Sequence, residues 1–126
     1  MKVLQPPNWP QPKGYSNGIS AKGTMVFVAG MVGWNEKEHF ETSDFSEQAR
    51  QALKNIVTVL NEAGARPEHI TRMTWYLVDL DEYKAALKSL GKIYQEEIGK
   101  VFPAMTGIQV AGLVEDEAKL EIEVTA

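Results

Sequence analysis

The hydrophobic positions of the chain change their period at Asp44, and the new period predicts a helix. Apolar residues then recur at spacings of three and four, so one face of the helix packs against a core (Phe45, Ala49, Leu53, Ile56, Leu60 and Ala63). Asp44 followed by Glu47 predicts a capping box at the start of this helix. Gly64 predicts its C-terminal cap, and Pro67 prevents its continuation.

A second helical pattern covers residues 81–99. Its apolar positions again follow helical spacing (Tyr83, Leu87, Leu90, Tyr94 and Ile98), and its other face carries lysines and glutamates. Gly91 lies inside this pattern, where glycine weakens a helix. The pattern therefore predicts a single amphipathic helix that packs by one face.

Strand patterns occupy most of the remaining chain. Residues 14–20 and 24–32 predict two strands joined as a hairpin, because only a short Gly-containing connection separates them. Residues 69–80 predict a third strand, and residues 33–44 a long polar loop. Two more strands follow, the first entered through a proline ("FPAMTGIQVAGL" and "AKLEIEVTA"). In the last strand Leu120, Ile122 and Val124 point inward, and Glu121 and Glu123 point to the other face.

The predicted order is ββαβαββ, which gives an α+β fold with two helices on one face of a mixed sheet. Because two helices cannot cover both faces, the second face predicts a homo-oligomer with ligand sites between subunits. Residues 1–126 are predicted to form a single domain. Residues 1–13 are predicted to form an extended arm, since four of the six prolines lie there. Trp9 in this arm is expected to dock on the body or on a neighbouring subunit.

Composition narrows the class of protein. Hydrophobic residues make up 44% of the chain and charged residues 24%, and the net charge of −4 argues against nucleic acid as a partner. The chain has no cysteine, which excludes disulfides, thiolate metal sites and cysteine nucleophiles. No stretch approaches a membrane span, and prolines interrupt the first residues before any signal-like apolar run. We expect a cytoplasmic protein.

The residues themselves reveal no standard catalytic or metal motif. His39 and His69 stand thirty positions apart without carboxylates at ligand spacing, so no metal is predicted. A Ser-His-Asp arrangement is not recognisable. Gly30 and Gly33 flank Met31 without a phosphate-loop pattern; a backbone donor for a ligand oxygen is one interpretation of these glycines, and a tight bend is the favoured one. Three large aromatic residues are interpreted as core or interface rather than as a stacking platform (Trp34, Trp75 and Tyr94).

Five phrases, in this order and spacing, carry a resemblance over nearly the whole chain from Gly14 onward. They are "GYSNGI", "VFVAG", "QARQALKNIVTVLNEAGA", "MTWYLVDLDEY" and "FPAMTGIQVAGL" with the closing "LEIEVTA". Together they resemble the RidA (YjgF, endoribonuclease L-PSP) family. The resemblance implies a chorismate-mutase-like fold, a homotrimer and small-molecule sites at the subunit interfaces. It also implies hydrolysis of reactive enamines or imines to a 2-oxo acid and ammonia without a cofactor.

The resemblance also assigns candidate site residues, and several depart from the family's pattern. The family's phrase P-A-R, whose arginine clamps a substrate carboxylate, ends in Met105 here. Gly107 stands where many members carry cysteine, and Leu87 where an asparagine is common. Two positions match: Tyr15 aligns with the tyrosine of the first strand, and Glu121 with the glutamate credited with positioning water or moving the proton.

Met105 changes what the site can bind. Losing the arginine removes charged hydrogen bonds worth about 1.5–3 kcal/mol each, so the standard 2-imino acid is not the expected substrate. Cations from elsewhere could compensate, although a solvated surface role explains each of them (Lys13, Lys22, Arg50 and Arg72). Glu121 is also explained as the outward half of an alternating strand, and Tyr15 as an interface aromatic.

Two classes of function stay open. The first is an enamine or imine deaminase with Glu121 as acid and base and Tyr15 orienting the substrate, acting in a more apolar pocket than is usual. The second is a non-catalytic trimer that binds a metabolite or a protein in the same cleft. An endoribonuclease, the older family label, ranks third because of the acidic charge balance and the absence of paired histidines.

Overall fold

A four-stranded mixed sheet carries the helices on one of its faces. The computed structural model describes residues 1–126. The strands are β1 (Lys2–Val3), β2 (Ile19–Ser20), β3 (Phe27–Met31), β4 (Arg72–Leu77), β5 (Ala104–Gln109) and β6 (Leu120–Thr125). The helices are α1 (Phe45–Glu62), α2 (Leu80–Ala85) and α3 (Leu87–Glu97), with a 3₁₀ turn at Pro67–His69.

The large sheet has the strand order β3-β6-β4-β5. β4 and β5 run parallel, and the other two neighbouring pairs run antiparallel. Residues directly opposite one another share a sheet face, so Trp75 shares one face with Ile122 and Gly107. Tyr76 lies on the other face together with Glu121. We call these the helix face and the open face.

The core lies between the helices and the helix face. Leu120 and Ile122 of β6 are fully buried there, as is Met73 of β4. α1 contributes a buried stripe at the predicted spacing (Phe45, Ala49, Leu53, Ile56 and Leu60, with Gln48 and Ala52 beside them). The predicted α+β class, the mixed sheet and the inward-facing residues of β6 are confirmed, because hydrophobic periods of 2 and 3.6 reflect burial directly.

The ends of α1 agree with the sequence. The Asp44 side chain accepts a hydrogen bond of 2.9 Å from the Glu47 amide at the N-cap. At the other end Gly64 has φ of +68°, and its amide donates to Asn61, while the amide of Ala65 donates to Leu60. This is a Schellman motif, which favours glycine at that position. Neither α1 nor the two shorter helices have the length and apolarity that crossing a bilayer requires.

The predicted hairpin between residues 14–20 and 24–32 is wrong. β2 pairs with β1 at the N-terminus, and β3 pairs with β6 instead. The segment that connects β1 to β2 also contacts β5, because Ser16 in this segment forms a parallel bridge with Ala104. Strand patterns do not specify partners, since any unpaired backbone edge can accept a strand.

The N-terminal arm also differs from expectation. Trp9 is 60% exposed, so it does not dock on the body of its own chain. The amide of Trp9 donates to the carbonyl of Pro6 within a local turn. Docking of Trp9 on a neighbouring subunit stays a prediction.

The second predicted helix is divided in two. α2 ends at Ala85, and the Ala86 amide donates to the carbonyls of Glu82 and Tyr83. α2 buries no residue, whereas α3 buries Leu90 and Ile93, so the two pieces pack differently. Gly91, the weak position in the sequence, lies inside α3. The break therefore follows packing rather than helix propensity.

Candidate functional site

A cavity of about 580 Å³ opens between α3, the β4–β5 edge of the sheet and the end of the N-terminal arm. Its walls are mostly apolar and aromatic (Trp75, Tyr83, Leu87, Leu90, Phe102 and Met105). Tyr15 lies at its rim and is 41% exposed. Its volume is typical of a site for a small molecule.

Strand register and helix spacing build these walls. Met105 of β5 lies opposite Met73 of β4, so the Met105 side chain is on the helix face, where it is half-buried against the core. Trp75, two positions along β4 from Met73, shares that face and is 6% exposed. Leu87 begins α3 and is 51% exposed, with Leu90 deeper in the wall at helical spacing. Met105 and Leu87 therefore line the same cavity.

The neighbouring residue Ser16 holds Tyr15 in place. Ser16 is buried, its amide donates to the Pro103 carbonyl at 3.0 Å, and its hydroxyl donates to the Phe102 carbonyl. These bonds join the segment after the arm to the entrance of β5. Tyr15 is thus fixed at the same end of the sheet as Met105. Their separation by 90 positions in the sequence gave no sign of this proximity.

Tyr94 and Trp75 place polar groups in the buried part of the wall. The Tyr94 hydroxyl donates to the Val101 carbonyl at 2.7 Å. Burial raises the pKa of Tyr94 above its ordinary value, so the hydroxyl remains a hydrogen-bond donor in alkaline solution as well. The Trp75 indole Nε1 is buried and has no acceptor in the chain.

The charges around the cavity are all of one sign. Lys13 and Lys100 contribute to its lining, and no aspartate or glutamate does so. Neither lysine forms an ion pair within the chain. The rim is therefore cationic in a chain whose net charge is −4.

Glu121 belongs to a second group of candidate residues on the open face. It lies opposite Tyr76, is half-buried, and makes no side-chain hydrogen bond or ion pair within the chain. Its carboxylate lies over Gly30, where a Cβ would collide with it. A register shift between Val28 and Met31 bulges β3 at this point. Glycine and the bulge let the carboxylate approach the backbone.

The candidate residues thus form two groups within one chain. Tyr15, Leu87 and Met105 line the cavity, whereas Glu121 and Gly30 lie on the open face. Two more lie apart from both groups. Met31 packs against the core opposite Ile122, and Gly107 is exposed, with open space where its side chain would be. A single chain does not bring Met105 and Glu121 into one site.

Sequence reasoning missed part of the cavity. Tyr83 and Tyr94 were visible as members of a helical stripe, but that stripe predicted core packing rather than a cavity wall. Lys100 and Phe102 stand in the connection before β5, where no periodic pattern exists. Their position depends on how α3 ends against the sheet, so only the tertiary structure places them beside Met105.

Comparison with known proteins identifies the family. The endoribonuclease L-PSP family model matches residues 8–126. The chain belongs to the RidA/YjgF (endoribonuclease L-PSP) family. A RutC family protein of Aquifex aeolicus is 32% identical over 129 residues, which cover 100% of this chain and 98% of that protein. The 2-iminobutanoate/2-iminopropanoate deaminase of Salmonella typhimurium is 31% identical over 126 residues, which cover 99% and 96%.

Solved structures of the family support the fold. The crystal structure of the conserved Rid-family protein YyfB from Yersinia pestis superposes with a TM-score of 0.86 and 31% identity, covering 99% of this chain and 96% of that chain. The resemblance found in the sequence is confirmed. The Rid family fold is therefore present from the arm to the last strand.

Proposed function

We propose that this RidA family chain is an enamine or imine deaminase whose site is built between copies of the chain. The placement of Glu121 is the observation that carries the proposal. Its side chain is half-buried over Gly30 and forms no hydrogen bond or ion pair within its own chain. A carboxylate so placed is available to a substrate or water. Relatives named 2-iminobutanoate/2-iminopropanoate deaminase support the same chemistry.

The reaction requires one proton donor and one water. Glu121, in its protonated form, gives its proton to the enamine carbon, which converts the enamine to a protonated imine. The resulting carboxylate takes a proton from water as the water oxygen attacks the imine carbon. Glu121 passes this proton to the nitrogen of the adduct. As the C–N bond breaks and ammonia leaves, the hydroxyl proton of the adduct returns to Glu121, which gives the carbonyl product and restores the protonated acid. In this proposal Tyr15 orients the substrate, and the chain's own residues supply every proton transfer.

The site needs two copies because its groups lie on opposite faces of one sheet. The open face carries exposed apolar side chains, with Phe27 70% and Ile108 49% exposed, which favours burial against another copy. A second copy placed there would bring its cavity, with Met105 and Tyr15, to Glu121 of the first. A homotrimer of the chorismate-mutase type, with three equivalent sites, fits this arrangement.

The assembly is tested by mass in solution. Light scattering is expected to give about three times the 14.0 kDa mass of the chain, because three open faces are then buried. A monomer that stays stable on dilution would contradict both the trimer and the site between copies.

The activity is tested with imines generated in place by an amino-acid oxidase or a lyase. We expect faster ammonia release with the protein than without it for at least one imine of a panel that varies in size and charge. For 2-aminoacrylate we expect negligible acceleration, because the carboxylate of so small an acid would lie beside Met105, which cannot pair with it. Ammonia release at the spontaneous rate for every imine would refute the deaminase.

A non-catalytic trimer that binds a metabolite is the second candidate. It is favoured by the apolar side chains of Met105 and Leu87 in the cavity wall, since such a wall binds a ligand without polarising it. Binding of small molecules to the cavity with no turnover in the imine panel would select this function. The acidic net charge of −4 gives no support to the endoribonuclease of the family label.

A further inference from the structure

We infer that the cavity selects an imino acid, or the 2-oxo acid made from it, whose side chain is a large apolar group of aromatic size. The inference rests on the proposed function and names its substrate class. The apolar group lies against Trp75 and Met105 inside the cavity, and the carboxylate lies at the rim beside Lys13 and Lys100. The cations that bind the carboxylate therefore lie at the rim, and not in the wall where Met105 replaces the family's arginine.

The size and lining of the cavity support an apolar body. A volume of about 580 Å³ is far more than a three-carbon acid fills, so a small ligand would leave much of the apolar wall without van der Waals contacts. The Trp75 and Tyr83 rings stand 6.4 Å apart at 63°, an edge-to-face pair that lines the cavity, with Tyr83 the more exposed of the two. An aromatic ligand gains both apolar burial and ring contacts from such walls.

The charges select where the carboxylate lies. Of the chain's other candidate cations, Arg50 is held by three glutamates of α1 and α3, and Arg72 is on the open face. Lys22 lines a different depression near the N-terminus. Lys13 and Lys100 line this cavity and are unpaired. A rim with two ammonium groups and no acid attracts an anionic end, even though each exposed lysine contributes modestly.

Calorimetry with three probes tests the ligand class. Phenylpyruvate has the ring and the carboxylate, pyruvate lacks the ring, and phenylacetone lacks the carboxylate. We expect phenylpyruvate to bind at least about tenfold more tightly than pyruvate, because a buried ring removes a large apolar area from water. Phenylacetone is expected to bind between the two. Equal affinity for pyruvate and phenylpyruvate, or no binding of phenylpyruvate, would overturn the inference.

Gly91 offers a way to fill the cavity without strain. It lines the cavity within α3, and an added Cβ meets no atom within 4 Å. Gly91→Leu places a bulky side chain at the opening and is expected to weaken phenylpyruvate at least about tenfold. Gly91→Ala is the matched control, since it strengthens the helix equally but fills little space. Unchanged binding by Gly91→Leu, with the fold intact by circular dichroism, would place the ligand elsewhere.

The lysines are tested together, as Lys13→Gln with Lys100→Gln. The double variant is expected to weaken phenylpyruvate on the order of tenfold and to leave phenylacetone unchanged, because only the acid carries a charge. Lys22→Gln, an exposed lysine outside the cavity, is the control and should change neither. An equal loss for the acid and the neutral ketone would show that the lysines do not bind the carboxylate.

The binding and activity results separate this inference from the proposed function. Tight binding of phenylpyruvate without ammonia release from any imine would support the ligand class and refute the deaminase. Ammonia release from 2-iminopropanoate, with no binding of phenylpyruvate, would support the deaminase and refute the ligand class.

Discussion

Glu121→Gln is expected to slow imine turnover by about 10²- to 10⁴-fold, the usual contribution of one general acid or base. Glutamine has nearly the same shape, but it can neither deliver nor accept the proton at neutral pH. Because Glu121 makes no side-chain hydrogen bond within its chain, the substitution breaks no internal hydrogen bond, and glutamine keeps the packing over Gly30. The proposed trimer and the melting temperature should therefore stay close to those of the original chain.

Two variants show whether the loss is specific to the Glu121 carboxylate. Glu123→Gln changes a neighbouring glutamate on the same face, which accepts a hydrogen bond of 2.6 Å from Tyr76, and should keep turnover within a few-fold. Gly30→Ala keeps the glutamate but displaces it, since the three atoms nearest to the new Cβ all belong to the Glu121 side chain. It should lower turnover with little loss of stability. Full turnover by Glu121→Gln, measured as ammonia release, would remove Glu121 from the mechanism.

Gln48→Leu is expected to lower the free energy of unfolding by about 3–5 kcal/mol, because it leaves three backbone groups unpaired. Gln48 is 1% exposed on α1. Its side-chain Nε2 donates to the backbone carbonyls of Thr42 and Glu117, and its side-chain Oε1 accepts from the backbone amide of Lys119 at 2.9 Å. Leucine preserves the volume but provides none of these bonds. The loss also loosens the start of β6, which carries Glu121.

Gln51→Leu is the matched control on the same helix. Its side chain is half-exposed and bonds only the Asn55 side chain at 2.8 Å, so the expected change lies within about 0.5 kcal/mol. Thermal melts at one protein concentration compare the two variants, because oligomers melt in a concentration-dependent way. A Gln48→Leu melting temperature equal to that of the original chain would mean that water replaces the lost partners.

Gln48 illustrates what periodicity can and cannot reveal. Ala49, Leu53 and Ile56 could be placed in the core from their spacing alone, because burying apolar surface is the main force that fixes a helix face. Gln48 lies beside that stripe but is equally buried, and its partners are backbone groups of two loops. A polar residue that joins distant loops has no local signature, so only the fold reveals it.

Strand partners show the same division. The alternation in β6 was sufficient to assign Ile122 to the core and Glu121 to the other face. It was not sufficient to show that β2 pairs with β1, since backbone hydrogen bonds are alike in every strand. The division of the second helix at Ala86 was hidden for a similar reason: each half follows helical spacing, and only packing distinguishes them.

For this protein the sequence by itself determined the family, the α+β class, the caps of α1 and the candidate residues, because these depend on local spacing and residue type. The tertiary structure decided how those residues are grouped. It placed Tyr15, Leu87 and Met105 around one cavity and showed that this cavity lies on the sheet face opposite Glu121. It also brought Lys13 and Lys100 to the same rim, although they are far apart in the chain. The physical reason is that strand register and helix docking, which are long-range contacts, fix the face and the neighbours of each side chain.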